Sequence, residues 1–198
     1  MNERGFTLIE ILVAMTMSLV VMGAIYSLFT TQQKSYIHQE RVATIQQNLR
    51  SAMMMMERDI RLAGCNPTGT INPAPGIVTP TSGTPSGNIC QVTMDITDTA
   101  GTPAPQGKPD GKTDGPNEDV TYSLVGTNLM RKGCVICPSV MVAEYIQALT
   151  FTILDVDGNG TFETVQVDIT AQTTNEAQTT TRRLVSNIKC RNLDLSNN

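Results

Sequence analysis

The sequence contains no tryptophan, few other aromatic residues and a single histidine, His38. Aromatic residues make up 4% of its 198 residues, which suits strands with one solvated face better than a deep apolar pocket. A lone histidine, with no G-x-S-x-G or similar nucleophile motif, offers no partner for a catalytic serine or cysteine. These absences make an enzyme the least expected class.

A concentration of positive charge is also missing. The formal net charge is -4, and the 14 lysine and arginine residues are scattered along the chain. Proteins that bind nucleic acid usually carry a basic face whose phosphate contacts release counterions. We therefore expect no nucleic-acid partner.

Residues 6–30 carry only one charged side chain, Glu10, and residues 11–63 contain no proline. As a helix, residues 6–30 would be about 37 Å long, enough for the roughly 30 Å core of a bilayer. From residue 31 the pattern becomes amphipathic, and apolar residues recur every three or four positions up to Ala63. The sequence predicts one helix over 6–63, with a membrane-spanning segment at 6–30 and an amphipathic continuation at 31–63.

The stretch Gly5-Phe6-Thr7-Leu8-Ile9-Glu10 precedes and opens this apolar run. It resembles the cleavage motif of type IV prepilins and type II secretion pseudopilins. The resemblance implies that an inner-membrane prepilin peptidase removes residues 1–5 by cutting after Gly5, and that the new terminus, Phe6, is N-methylated. It also implies a single-pass protein of the bacterial inner membrane, with its C-terminal domain in the periplasm and a later stage at the pilus or cell surface.

Glu10 is costly within an apolar segment unless an opposite charge compensates for it. Cleavage would create a cationic amine on Phe6, and the two charges would attract strongly in a low dielectric. Because this pairing is awkward within one straight helix, we expect Glu10 to pair with the amine of a neighbouring subunit and to act in assembly.

The remainder of the chain divides by composition. Residues 64–118 hold nine of the ten prolines and predict a variable loop region, whereas 119–198 have strand patterns. "DVTYSLV" and "LMRK" predict a hairpin, and "VMVAEYIQALTFTIL" predicts one long strand. Four or five antiparallel strands covered by the helix give an α+β fold. The resemblance implies the same layout, a pilin-like helical spine packed on a C-terminal antiparallel sheet.

Three segments refine the resemblance: "RDIRLAG", "VTYSLVGTNLMRKG" and "YIQALTFTILDVDGNG". They are similar to those of PilW-type minor pilins and the related J-type pseudopilins. The implied function is a structural minor pilin that primes or caps a type IV pilus, with the major pilin and other minor pilins as partners in the membrane lipid. A type II secretion pseudopilin of the tip complex, and a membrane-anchored adhesin at the filament tip, are the alternatives.

The segment "DVDGNGTFE" offers the only candidate cofactor, calcium. Asp155, Asp157, Asn159 and Glu163 resemble the start of an EF-hand loop, but the twelfth position is Gln166 instead of a bidentate acid. A hairpin loop rich in Asp, Asn and Gly explains the same residues, and we favour it.

The five cysteines are Cys65, Cys90, Cys134, Cys137 and Cys190, all beyond the apolar segment, as expected for an oxidising compartment. We favour a Cys65–Cys90 disulfide and a bond from Cys190 to either Cys134 or Cys137. The Cys134-x-x-Cys137 spacing also fits redox or zinc chemistry, but it lacks a following helix or a second cysteine pair.

Overall fold

The computed structural model describes residues 6–66, 76–79, 87–96, 109, 111–113, 115–154, 164–175 and 178–192. The chain divides into two compact units, Met1–Ala43 and Thr44–Asn198.

Helix α1 runs from Leu8 to Leu62, which confirms the predicted helix over 6–63 to within two residues. No proline interrupts its hydrogen-bond ladder. It ends where the N–H groups of Ala63 and Cys65 donate to carbonyls three residues earlier. Gly64 follows with φ at 76°, a left-handed conformation that glycine adopts without steric cost.

The first sheet contains five antiparallel strands in the spatial order β1-β2-β3-β4-β5. Their bounds are β1 Ile77–Thr79, β2 Ile89–Thr93, β3 Asp119–Val125, β4 Asn128–Lys132 and β5 Val140–Ala143. Strands β3 and β4 form the predicted hairpin, which closes at the Val125–Asn128 pair through a turn with Gly126 at φ 62°.

The second sheet contains three antiparallel strands in the order β6-β7-β8. These are β6 Ile146–Leu154, β7 Thr164–Asn175 and β8 Gln178–Lys189. The prediction of one long strand from Val140 to Leu154 is wrong, because the chain turns at Tyr145, which has a left-handed φ of 64°. The two halves of that stretch therefore lie in different sheets, and the described strands form two sheets instead of the one expected.

The core of the second unit combines both sheets with one face of α1. Helix residues Ile45, Leu49, Met56 and Ile60 are buried together with Tyr122 of β3 and with further apolar residues of both sheets. These further residues include Cys90, Val92, Val120, Leu129, Phe151, Val165, Val167, Ile169 and Ile188. The sheets also touch through one backbone bridge, in which the Phe151 N–H donates to the Gly87 carbonyl at 3.1 Å.

Asp59 is a buried acid on the helix face that packs against the first sheet. Its Oδ2 accepts hydrogen bonds from the Tyr122 hydroxyl at 2.7 Å and from Arg131 Nε at 2.9 Å. Arg131 also donates from its Nη1 to the Asn117 side chain at 3.0 Å. Helix α1 and the β3–β4 hairpin are thus joined by an ion pair as well as by apolar packing.

The cysteine pairing differs from both predictions. Cys134 and Cys137 bond to each other across a turn, with their Cα atoms 5.0 Å apart, so neither bonds Cys190. Cys65, Cys90 and Cys190 are thiols. Cys65 lies beside Asp95 instead of Cys90, because the Cys65 carbonyl accepts a hydrogen bond from the Asp95 N–H. Asp95 is five residues after Cys90 along the chain. At about 3.3 Å per residue of extended chain, that offset exceeds the reach of a disulfide.

Candidate functional site

The start of helix α1 is a capping box built by Thr7 and Glu10. Thr7 is the residue before the first helical position, Leu8, and its Oγ1 accepts a hydrogen bond from the Glu10 N–H at 3.4 Å. In return, Glu10 Oε2 accepts from the Thr7 N–H at 2.9 Å and from the Thr7 hydroxyl at 2.8 Å. Two backbone donors that a helix start leaves without partners are thereby satisfied.

Thr7 is the functional residue that sequence reasoning missed. The signal was present, since Thr-x-x-Glu before an apolar run is the sequence signature of a capping box. The capping box also gives the Glu10 carboxylate hydrogen-bond donors within its own chain. A neighbouring subunit is therefore not needed to satisfy this acid in a single chain.

Phe6 lies directly before this cap and is 85% exposed. Gly5, the other residue predicted to take part in processing, lies outside the described residues. In the sequence, the predicted cleavage bond between Gly5 and Phe6 precedes a residue that is two positions before the first helical residue, Leu8. The next bond, between Phe6 and Thr7, directly precedes the capping residue.

An apolar groove of about 550 Å³ runs along the helix from Glu10 towards its centre. Its lining residues form two rows at four-residue steps, one of Glu10, Ala14, Ser18 and Met22 and one of Ile11, Met15 and Leu19, with Phe6 at the end. Ala14 and Ser18 are small, so they leave room between the rows. Small residues four positions apart let the backbones of packed helices in a membrane come close together.

The apolar half of α1 is exposed throughout. Its most apolar window is long enough to cross a bilayer, and none of that window is buried against the rest of the described structure. The large apolar side chains from Phe6 to Phe29 are all exposed in the single chain. Because water is a poor solvent for so large an apolar surface, this segment supports membrane anchoring.

The other candidate sites lie elsewhere. The calcium candidates Asp155, Asp157, Asn159 and Glu163 fall outside the described residues. Within the part of the chain that the structure describes, no group of three or more His, Cys, Asp or Glu side chains could hold a metal ion.

A long N-terminal apolar helix followed by antiparallel sheets is an α+β, pilin-like layout. Residues 1–26 match the family model described as the prokaryotic N-terminal methylation motif. The match includes Gly5, Phe6, Thr7 and Glu10. Comparison with curated proteins and with solved structures gave no significant match.

Proposed function

We propose that this protein is a minor pilin, a membrane-anchored structural subunit that primes or caps a type IV pilus. The observation that carries the proposal is the coincidence of the methylation motif with a capped Glu10 at the start of an unburied apolar helix. In this proposal the helix lies in the inner membrane, the second unit faces the periplasm, and the partners are prepilin peptidase, the major pilin and other minor pilins.

Processing would change the electrostatics of the helix start. Removal of residues 1–5 leaves a cationic amine on Phe6, next to the cap in which Glu10 accepts from Thr7. In a single chain the Thr7 donors stabilise the carboxylate. In the filament, the amine of a neighbouring subunit offers a full opposite charge, which binds a carboxylate more strongly than neutral donors do. Assembly would therefore exchange the partner of Glu10, while Ala14 and Ser18 admit a neighbouring helix.

The first experiment measures the intact mass and the N-terminal residue of the membrane-extracted protein, with and without an active prepilin peptidase. We expect N-methylated Phe6 only when the peptidase is active. A terminus at Met1 under both conditions would refute the processing and leave an anchored domain of another kind.

A second experiment tests Glu10 in assembly. Glu10→Gln retains an oxygen that can accept from Thr7 but has no charge, so we expect normal membrane insertion and at least a tenfold loss from purified filaments. Glu40→Gln is the matched control, since it makes the same substitution at an exposed position of the same helix. Equal amounts of both variants in filaments would contradict an assembly role for the Glu10 charge.

Type II secretion pseudopilins share the same N-terminal motif, and this alternative is tested by the identity of the filament. Antibody against this chain should co-purify major pilin from sheared pili. Recovery with a secretion pseudopilin instead would assign the protein to the secretion system. Binding of a surface ligand by the isolated second unit would favour the filament-tip adhesin.

A further inference from the structure

Two cysteine thiols lie in the interior of the second unit. Cys90 is on β2, opposite Tyr122 of β3, and Cys190 is the first residue after β8. Both residues are fully buried and belong to one apolar core cluster. They come from the two different sheets and are not part of the N-terminal site.

The segments that carry these cysteines attach to the same end of helix α1. At the end of β2, the carbonyl of its last residue, Thr93, accepts a hydrogen bond from the Gly64 N–H at 2.9 Å. After β8, the Arg191 N–H donates to the Arg61 carbonyl at 3.3 Å. The helix end thus brings the end of each sheet to within one helical turn of the other.

The electrostatics of Cys90 agree with this proximity. Burial, and secondarily the neighbouring Cys190, raise the pKa of the Cys90 thiol to about 12. A group affects the pKa of another in this way only when the two lie close together.

We propose that Cys90 and Cys190 form a second disulfide, which joins the first sheet to the end of the second. This inference rests on the proposed function in one respect, the placement of the second unit in the oxidising periplasm. Cys65 remains the unpaired thiol of the five.

The reaction is a thiol–disulfide exchange with a dithiol oxidase of that compartment. The thiolate of one cysteine attacks the oxidase disulfide and forms a mixed disulfide, and the second thiolate then displaces the oxidase. The two protein thiols lose two protons and two electrons in total, and the oxidase disulfide becomes a dithiol. Because both thiols are fully buried in the folded unit, where an oxidase cannot reach them, the exchange takes place before the core closes.

The proposed Cys90–Cys190 disulfide would constrain the unfolded chain far more than the Cys134–Cys137 disulfide does. It closes a loop of about 100 residues, whereas Cys134 and Cys137 are separated by three positions, and the loss of unfolded-state entropy grows with loop length. Most of the dependence of stability on reductant should therefore come from Cys90 and Cys190.

The test uses the full-length chain, extracted from membranes in detergent with an alkylating agent present to trap free thiols. Peptide mapping should recover a Cys90–Cys190 linked peptide, the Cys134–Cys137 bond and alkylated Cys65. Reductant should lower the melting temperature of the wild type by about 5 °C or more. Cys90→Ala and Cys190→Ala should each remove most of that reductant effect, and Cys65→Ala should retain it.

Alkylated Cys90 and Cys190 beside an intact Cys134–Cys137 bond would overturn the inference and leave the proposed orientation standing. A Cys65–Cys90 linked peptide would also overturn it. If all five cysteines are alkylated, the proposed orientation fails, and refolding of the reduced protein in a glutathione redox buffer then decides the inference by the presence or absence of the Cys90–Cys190 peptide.

Discussion

Asp59 is one of three acids, with Asp95 and Glu118, that are buried among the described residues and whose burial apolar packing does not explain. It is 2% exposed and accepts from the Tyr122 hydroxyl and from Arg131 Nε, while Arg58 reaches its other oxygen at 3.3 Å. A buried ion pair contributes little net stability compared with apolar residues, but losing one partner leaves the other charge buried and uncompensated. We therefore expect the pair to act chiefly in specificity, by selecting the face and the turn of α1 that meet the hairpin.

Asp59→Ala should lower the free energy of unfolding by about 3–5 kcal/mol, because Arg131 and Tyr122 would lose their acceptor in the interior. Urea denaturation of the detergent-extracted protein measures this change. Asp168→Ala is the matched control, since Asp168 pairs with Arg183 on an exposed part of the second sheet, where ion pairs are weak. Equal losses in the two variants would contradict a special role for Asp59.

Tyr122 should make the protein sensitive to alkali. Burial, with a further contribution from the charge of Asp59, raises the pKa of its hydroxyl above the ordinary value of about 10. The folded state therefore holds the proton more tightly than the unfolded state. Its contribution is fully present below about pH 10 and is lost as the pH rises towards the folded pKa.

Tyr122→Phe removes this titration, so the fall in stability from about pH 9.5 to 11 should be shallower than in the wild type. Denaturation midpoints across that pH range measure the slope. The lost hydrogen bond to Asp59 shifts the whole curve, and all other titrating groups are common to both proteins, so only the difference in slope is diagnostic. Parallel curves would show that Tyr122 does not carry the effect.

At the scale of elements, the part of helix α1 that belongs to the second unit has one face in the core of that unit and another face exposed. Within its run of four methionines, Met53 and Met56 are buried and Met54 and Met55 are not. The three- and four-residue spacing of apolar positions predicted this division. The break between β5 and β6 was not predictable in the same way, because the strand pattern continues through Tyr145 without glycine or proline to mark the turn.

Met56→Ala should lower the free energy of unfolding by about 2–5 kcal/mol, because a fully buried side chain is truncated in a packed core. Met54→Ala should change it by less than about 0.5 kcal/mol, since Met54 is 68% exposed. The two variants differ by two positions in one helix and have the same intrinsic helix propensity change. Chemical denaturation compares them, and similar losses would place both side chains in packed environments.

At the scale of the whole molecule, the two units differ in how they bury apolar surface. Thr44–Asn198 contains the core, whereas Met1–Ala43 consists, in its described part, of helix with exposed apolar side chains. The exposed apolar side chains of the first unit therefore favour a membrane environment, whereas the second unit buries a core of its own.

A fragment of residues 31–198 should accordingly be soluble without detergent and unfold in one cooperative transition. The full chain should require detergent. Sedimentation velocity and thermal unfolding monitored by circular dichroism test both expectations. Aggregation of the fragment in the absence of detergent would contradict this expectation.

The sequence alone determined the features that depend on neighbours along the chain. The capping Thr7-x-x-Glu10, the unbroken helix and the β3–β4 hairpin follow from local hydrogen bonding, missing proline and turn chemistry. Tertiary structure alone decided that the strands form two sheets, that Asp59 meets Arg131, and that Cys90 and Cys190 share one buried core while Cys65 lies beside Asp95. These outcomes depend on how distant segments pack against one end of α1, and such long-range packing leaves no periodic pattern in a single sequence.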